Sequence, residues 1–196
     1  MPPLPLSANQ DRVQRIAQLM RHLGHPVRFQ LVQYLAEEGP RHVNDIHQQL
    51  GVSQSGASQH LKALEQLAVL QSQRIGPRVE YRVQQAAIPG LLSCAWKSVA
   101  HLSAQHKLKT LSKLLKTMGH PDRLLLVELL LEKEKLSVSE IQAQLTISQS
   151  STSQHLKALE NLGIVDVVQE GKNRFYFVIH PHIQHMIHCV GACTDC

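Results

Sequence analysis

Apolar residues recur at helical spacing near the start of the chain, with Val13, Ile16, Met20 and Leu23 on one stripe; Leu108, Leu111, Leu115 and Met118 repeat the pattern further on. Each stripe predicts an amphipathic helix. A Gly-His-Pro break follows both, at 24–26 and 119–121, and its proline suits the first turn of a second helix. That helix is expected to run to about Glu38 or Lys133 and to bury Leu31 and Leu35, or Leu126 and Leu130. Next comes a short helix with Val43, Ile46 and Leu50, matched by Val138, Ile141 and Leu145. A turn, Gly51-Val52-Ser53 or Thr146-Ile147-Ser148, leads into another helix, which in the first case spans Gln54 to Leu67 with Ala57, Leu61, Leu64 and Leu67 inward. Two short helices about a tight turn predict a helix-turn-helix. The period then changes. Residues 69–75 and 164–169 read as strands, Gly76-Pro77 and Gly171-Lys172 as turns, and Val79-Tyr81-Val83 and Phe175-Phe177-Ile179 as alternating return strands. A last helix is expected from about Ile88 and from about His182.

These parallels reflect a repeat. The stretch SQSGASQHLKALE at 53–65 returns as SQSSTSQHLKALE at 148–160, an offset of 95 residues, and 27 of 60 positions are identical between 24–83 and 119–178 without a gap. The expected fold is therefore mainly α with small β-hairpin wings, as tandem winged helix-turn-helix domains. A flexible tail over 1–10, a first domain over 11–103 and a second over 104–196 are expected. Because neither proline nor glycine lies between Gly90 and Gly119, the connection is expected to be short or helical.

The net charge of +5 and 43% hydrophobic content describe an ordinary globular chain with a mild preference for polyanions. Residues 1–95 carry 9 basic and 6 acidic side chains and residues 96–196 carry 11 and 9, so any nucleic-acid binding must depend on where the charges sit. Apolar runs such as 124–131 are far shorter than the roughly 20 residues that span a bilayer. No membrane partner is expected. The opening MPPLPLSANQ lacks the basic and apolar regions of a secretion signal, giving a cytoplasmic expectation in which four cysteines are thiols or metal ligands rather than structural disulfides.

On the helix after each turn, Gln54, Ser55, Ser58, Gln59 and Lys62, and Gln149, Ser150, Ser153, Gln154 and Lys157, fall outward. Gln reads adenine through two hydrogen bonds, Ser serves bases or phosphates, and Lys anchors phosphate. Solvated helix faces have the same composition, but the order of turn, helix and wing in both copies favours double-stranded operator DNA as the partner. Arg74 and Arg78, with Arg82, on the first wing, and Lys172 and Arg174 on the second, would meet the phosphate backbone. The second wing replaces Arg82 with Phe177 and adds Glu170 and Asp166, so its contact is expected to be weaker.

The segments LGHPVRFQLVQYL, VSQSGASQHLKALEQLAVL and RIGPRVEYRV, with their counterparts MGHPDRLLLVELL, ISQSSTSQHLKALENLGIV and EGKNRFYFV, resemble the ArsR/SmtB family of winged-helix transcriptional regulators. The resemblance covers nearly all of the chain after the first ten residues. It implies a repressor, usually a homodimer joined through first and last helices, that leaves its operator when metal binds or thiols are oxidised. This chain departs by fusing two copies, which could pair as an intramolecular pseudo-dimer or assemble as a homodimer. His25 and His120 at helix starts, typical of the family, are expected to be structural, and His60 and His155 on the outward helices to pack or touch backbone phosphate.

The segment HPHIQHMIHCVGACTDC at 180–196 carries the candidate effector chemistry. At 100° per residue His182, His185, Cys189, Cys193 and Cys196 fall within an arc of about 80°. Two His with two Cys suit tetrahedral zinc, and thiolates suit Cu(I) or other soft ions. Against the family's last-helix metal site, His180, His182, Cys193 and Cys196 occupy the four ligand positions with softer chemistry, implying zinc or another thiophilic ion as an effector, with no obligatory cofactor. In the family the two halves of that site lie on different subunits, and the first copy offers only Gln85, Ala87, Ser98 and His101 there. Cys94 overlies Cys189 at the same offset. A thiol input through Cys94, Cys189 or the tail cysteines, by oxidation or persulfide formation, is the alternative. Cys94 taken alone reads as a small core residue. A protein-interaction module without operator binding is a competing class. No enzyme is expected, since no catalytic triad order, phosphate-binding glycine loop or carboxylate pair stands out.

Overall fold

The structure, a computed structural model, describes residues 10–180 and 182–193. Its elements run α1 (Gln10–Leu23), α2 (Pro26–Glu38), β1 (Arg41–His42), α3 (Val43–Leu50), α4 (Gln54–Glu65), β2 (Leu70–Ile75), β3 (Arg78–Val83) and α5 (Ile88–Ser98). The second half repeats them as α6 (Ala104–Met118), α7 (Pro121–Lys133), β4 (Lys135–Ser137), α8 (Val138–Gln144), α9 (Gln149–Glu160), β5 (Val165–Glu170), β6 (Asn173–Val178) and α10 (Ile183–Cys193). The expected tail lies outside the described residues over 1–9, and Gln10 already opens α1.

Local chemistry fixes the turns. Pro26 and Pro121 start α2 and α7, where a missing N–H costs nothing. Gly51 closes α3 in the left-handed conformation (φ 63°), freeing the chain to turn into α4. Thr146 takes Gly51's place in the second half, and α8 instead stops at Gln144 with Leu145 extended. Ser53 caps α4 by accepting from the Gly56 amide at 3.1 Å, and Ser148 caps α9 by accepting from Ser151 at 3.2 Å. At α8, Ser137 and Glu140 form a reciprocal capping box, whereas His42 before α3 offers no side-chain cap.

Each hairpin is joined by a third strand that hydrophobic patterning did not reveal, giving sheets of order β1-β3-β2 and β4-β6-β5, all antiparallel. With Arg41 and His42 alone, β1 is too short to show an alternation. The connection between halves is also less regular than a continuous helix: α5 ends at Ser98, and turns over 99–103 precede α6.

The two halves share one core. Helix α1 packs on α6, α7 and α10, while α5 packs on α6 and α10. Ile88, Leu91, Leu92 and Ala95 of α5 are buried, as are Ile183, Met186, Ile187 and Val190 of α10, each 95 positions later. The α1–α6 crossing is close because glycine follows each helix. A Cβ on Gly119 would sit 2.8 Å from the Arg21 backbone nitrogen, and one on Gly24 would sit 2.9 Å from that of Lys116. Arg21 then spans the crossing, donating from Nε and Nη2 to the Gly119 carbonyl at 3.1 and 2.8 Å. Among the described residues no helix is long and apolar enough to cross a membrane.

Candidate nucleic-acid interface

Both α4 and α9 keep their apolar stripe inward, with Ala57, Leu61 and Leu64 or Thr152, Leu156 and Leu159 buried. This orients the opposite face outward. Gln54, Ser55, Gln59 and Lys62 are exposed and Ser58 is half-buried; Gln149, Ser150, Ser153, Gln154 and Lys157 are all exposed. Arg74, Arg78, Lys172 and Arg174 are exposed on the wings. A cleft of about 250 Å³ joins α3, α4 and the first wing, lined by Asn44, Gln54, Ser58 and Arg78 among others. There Gln54 Nε2 donates to Asn44 Oδ1 at 3.2 Å, placing on this face an asparagine that the sequence did not single out.

The halves differ in how far their cations are committed. Lys157 pairs with Glu160 at 3.1 Å. In the first half the equivalent Glu65 instead accepts from the Ser72 hydroxyl and amide, and among the described residues Lys62 pairs with no carboxylate. On the second wing Glu170 is held by Lys135 at 2.6 Å, and Arg174 lies over the Tyr176 ring at 5.8 Å. On the first, Arg82 donates to its cross-strand partner Gln71 at 2.8 Å.

Behind each outward helix lies a histidine pair, with ring centroids 4.6 Å apart for His25 and His60 and 4.7 Å for His120 and His155. The pair joins the start of α2 or α7 to α4 or α9. Burial lowers all four pKa values; His60 adds to this for His25, His155 for His120, Arg28 for His60 and Arg123 for His155. Asp122, where the first half has Val27, lies 3.4 Å from His155 Nε2 and brings three ligand-capable groups within 4.8 Å of one another. Both Nδ1 atoms are engaged: His120 Nδ1 accepts from the Asp122 amide at 3.3 Å, and His155 Nδ1 accepts from Arg123 Nε at 3.4 Å. A guanidinium on the ring suits a hydrogen-bonded brace better than a cation site.

Of the sequence-derived metal set, the side chains of His180 and His182 fall within the described residues. His180 is half-buried beside the Ser98 backbone and near His101, with burial first and His182 second in lowering its pKa. Ser98 and His101 are the first-half counterparts of Cys193 and Cys196. His182 is half-buried with its ring centroid 6.3 Å from that of His180, and His185 is exposed. The side chains of Cys193 and Cys196 lie outside the described residues. What the seam does bring together is Cys94 on α5 and Cys189 on α10, whose sulfurs are 3.9 Å apart. Cys94 is half-buried, packed against the core as its sequence context suggested, and also faces a thiol.

Two family models match the paired regions: residues 120–167 match the bacterial regulatory protein family arsR, and residues 23–71 match a helix-turn-helix domain. A biofilm growth-associated repressor of Agrobacterium fabrum is 40% identical over 79 residues, covering 40% of this chain and 67% of that protein. The chain belongs to the ArsR family. Other members similar to it are the transcriptional activator HlyU of Vibrio cholerae, 39% identical over 38% of this chain and 68% of its own, and the cadmium resistance regulatory protein CadC of Listeria innocua, 33% identical over 35% and 58%. Each match spans less than half of this ArsR-family chain, as expected if one member corresponds to one copy of the repeat. It is a DNA-binding transcriptional regulator.

Proposed function

We propose that this regulator is a repressor that reads a pseudo-palindromic operator with both winged halves of a single chain and is released by a thiol-directed or soft-metal input. The observation that carries the DNA reading is the pair of outward faces, Gln54-Ser55-Ser58-Gln59-Lys62 and Gln149-Ser150-Ser153-Gln154-Lys157, on halves joined by a shared core. Repression is carried over from the Agrobacterium relative, and the sign is open to test because another relative is named an activator. The first half contributes more to affinity, since Lys62 has no competing carboxylate among the described residues and Arg74 and Arg78 are exposed on its wing.

Two inputs compete. The CadC relative's cadmium resistance supports a soft metal, with zinc or another thiophilic ion held by His180, His182, Cys193 and Cys196. With the halves paired in one chain, however, His180 lies beside Ser98, the first-half counterpart of Cys193, so completing that set across the seam as in the family would call for two chains joined through their second copies. The thiol reading needs no second chain, and the 3.9 Å approach of Cys94 and Cys189 favours it. Binding to the DNA upstream of its own gene, titrated with Zn, Cd, Cu(I), As(III) and an oxidant, separates these inputs. Wild type and Cys193→Ser/Cys196→Ser are compared. Release by metal in wild type alone supports the tail site; identical responses remove it. Failure of the reduced protein to bind any duplex would leave a protein-interaction module.

A further inference from the structure

We propose that Cys94 and Cys189 form a reversible intrachain disulfide under two-electron oxidants of the peroxide class, and that this bond resets the spacing of α4 and α9 on DNA. The inference rests on the thiol reading above and gives it a site away from the tail cysteines. Three observations carry it. First, the sulfurs are 3.9 Å apart and both cysteines are free and half-buried. Second, they are counterparts in the repeat, 95 positions apart, so they face each other across the seam where α5 packs on α10. A bond there joins the two DNA-reading halves rather than two parts of one half. Third, the Cys189 sulfur lies against the α5 backbone one turn before Cys94: a Cβ on Gly90 would stand in ordinary contact with it at 3.7 Å.

The step balances without any further reactant. One thiolate attacks the peroxide O–O bond, giving a sulfenic acid and releasing one oxygen as water after protonation. The second thiol then displaces the sulfenic hydroxyl as water, so two thiols and one peroxide give one disulfide and two waters. Two electrons pass from sulfur to oxygen. The sulfurs must close from 3.9 Å to about 2.05 Å. Rotation about the two Cα–Cβ bonds supplies part of this, and a shift of α10 against α5 supplies the rest. Because the α5–α10 seam is continuous with the α1–α6 crossing, that shift is passed to the body of each half. Burial and the neighbouring Cys94 push the Cys189 thiol's pKa up, so oxidation should quicken with rising pH.

The test uses the full chain carrying Cys193→Ser/Cys196→Ser, treated with hydrogen peroxide near pH 8 and then analysed by intact mass, peptide mapping and iodoacetamide labelling. The expected result is a monomer lighter by two hydrogens, a proteolytic peptide linking α5 to α10, Cys94 protected from alkylation, and full reversal by dithiothreitol. Binding to a duplex selected from random sequence by the reduced protein should change at least about 5-fold on oxidation, the lower end of ordinary coupling between sites. The added substitution Cys94→Ser should abolish both effects. Cross-links between chains, or Cys94 alkylated equally before and after oxidation, would overturn the bond. A bond that forms without altering affinity would overturn the switch. If the reduced protein selects no duplex, the operator reading fails, while the mass and labelling results still decide whether the bond forms.

Discussion

Lys62 and Lys157 occupy the same repeat position but not the same electrostatic situation. Lys157 is already paired with Glu160, whereas Glu65 is turned toward Ser72. Each lysine that neutralises a phosphate adds about 0.9 to the slope of log affinity against log salt. Fluorescence anisotropy across salt concentrations should therefore show Lys62→Ala lowering that slope by about 1 and Lys157→Ala lowering it by less. The histidine pairs beneath these helices give a second residue-scale prediction. His25, His60, His120 and His155 all titrate below 6.5 when folded, because burial disfavours their charged forms. The unfolded chain therefore takes up protons first as pH falls. Stability should be fully present above about pH 6.5, decline as pH drops toward the folded values, and level off below them. Melting curves at pH 7.5, 6.0 and 5.0 should show the loss, and His60→Gln/His155→Gln should flatten it.

At the scale of elements, the repeat lets each half report where the other is strained. After α4 the chain turns at Ala68 with φ 54°, where the second half has Gly163 at 64°; after α2 it turns at Gly39 with φ 78°, where the second half has Glu134 at 64°. A left-handed conformation costs a residue with a Cβ roughly 1–2 kcal/mol. Ala68→Gly and Glu134→Gly should each raise the melting temperature, by up to about 1 kcal/mol of stability, since glycine returns part of the gain as lost chain entropy. The helices themselves were legible because their stripes, caps and Gly-His-Pro breaks are local. Strands β1 and β4 were not, because two or three residues carry no period and are extended only by pairing with β3 and β6. The same distinction divides the candidate sites. The outward Gln, Ser and Lys could be read from helical periodicity, and the equivalence of Cys94 and Cys189 from the 95-residue repeat. The 3.9 Å thiol approach and the meeting of His180 with Ser98 depend on which helices face across the seam.

For the whole molecule, the decisive feature is that the halves pack through α1–α6 and α5–α10 as one core rather than as separate beads. The proposed reader then needs one chain per two-fold operator. Analytical ultracentrifugation of the complex should give a 1:1 ratio of chain to duplex at saturation, where two separate single-copy chains would give 2:1.

The short connection over 99–103, between α5 and α6, has a consequence for control in the cell. A regulator assembled from two separate chains loses operator occupancy steeply when it is scarce, because partners must first find each other. Tethering removes that search and fixes the effective concentration of one half near the other. Occupancy then rises with the first power of protein concentration, so under the proposed repression a target gene would stay quiet at copy numbers where a self-assembling relative had already let go.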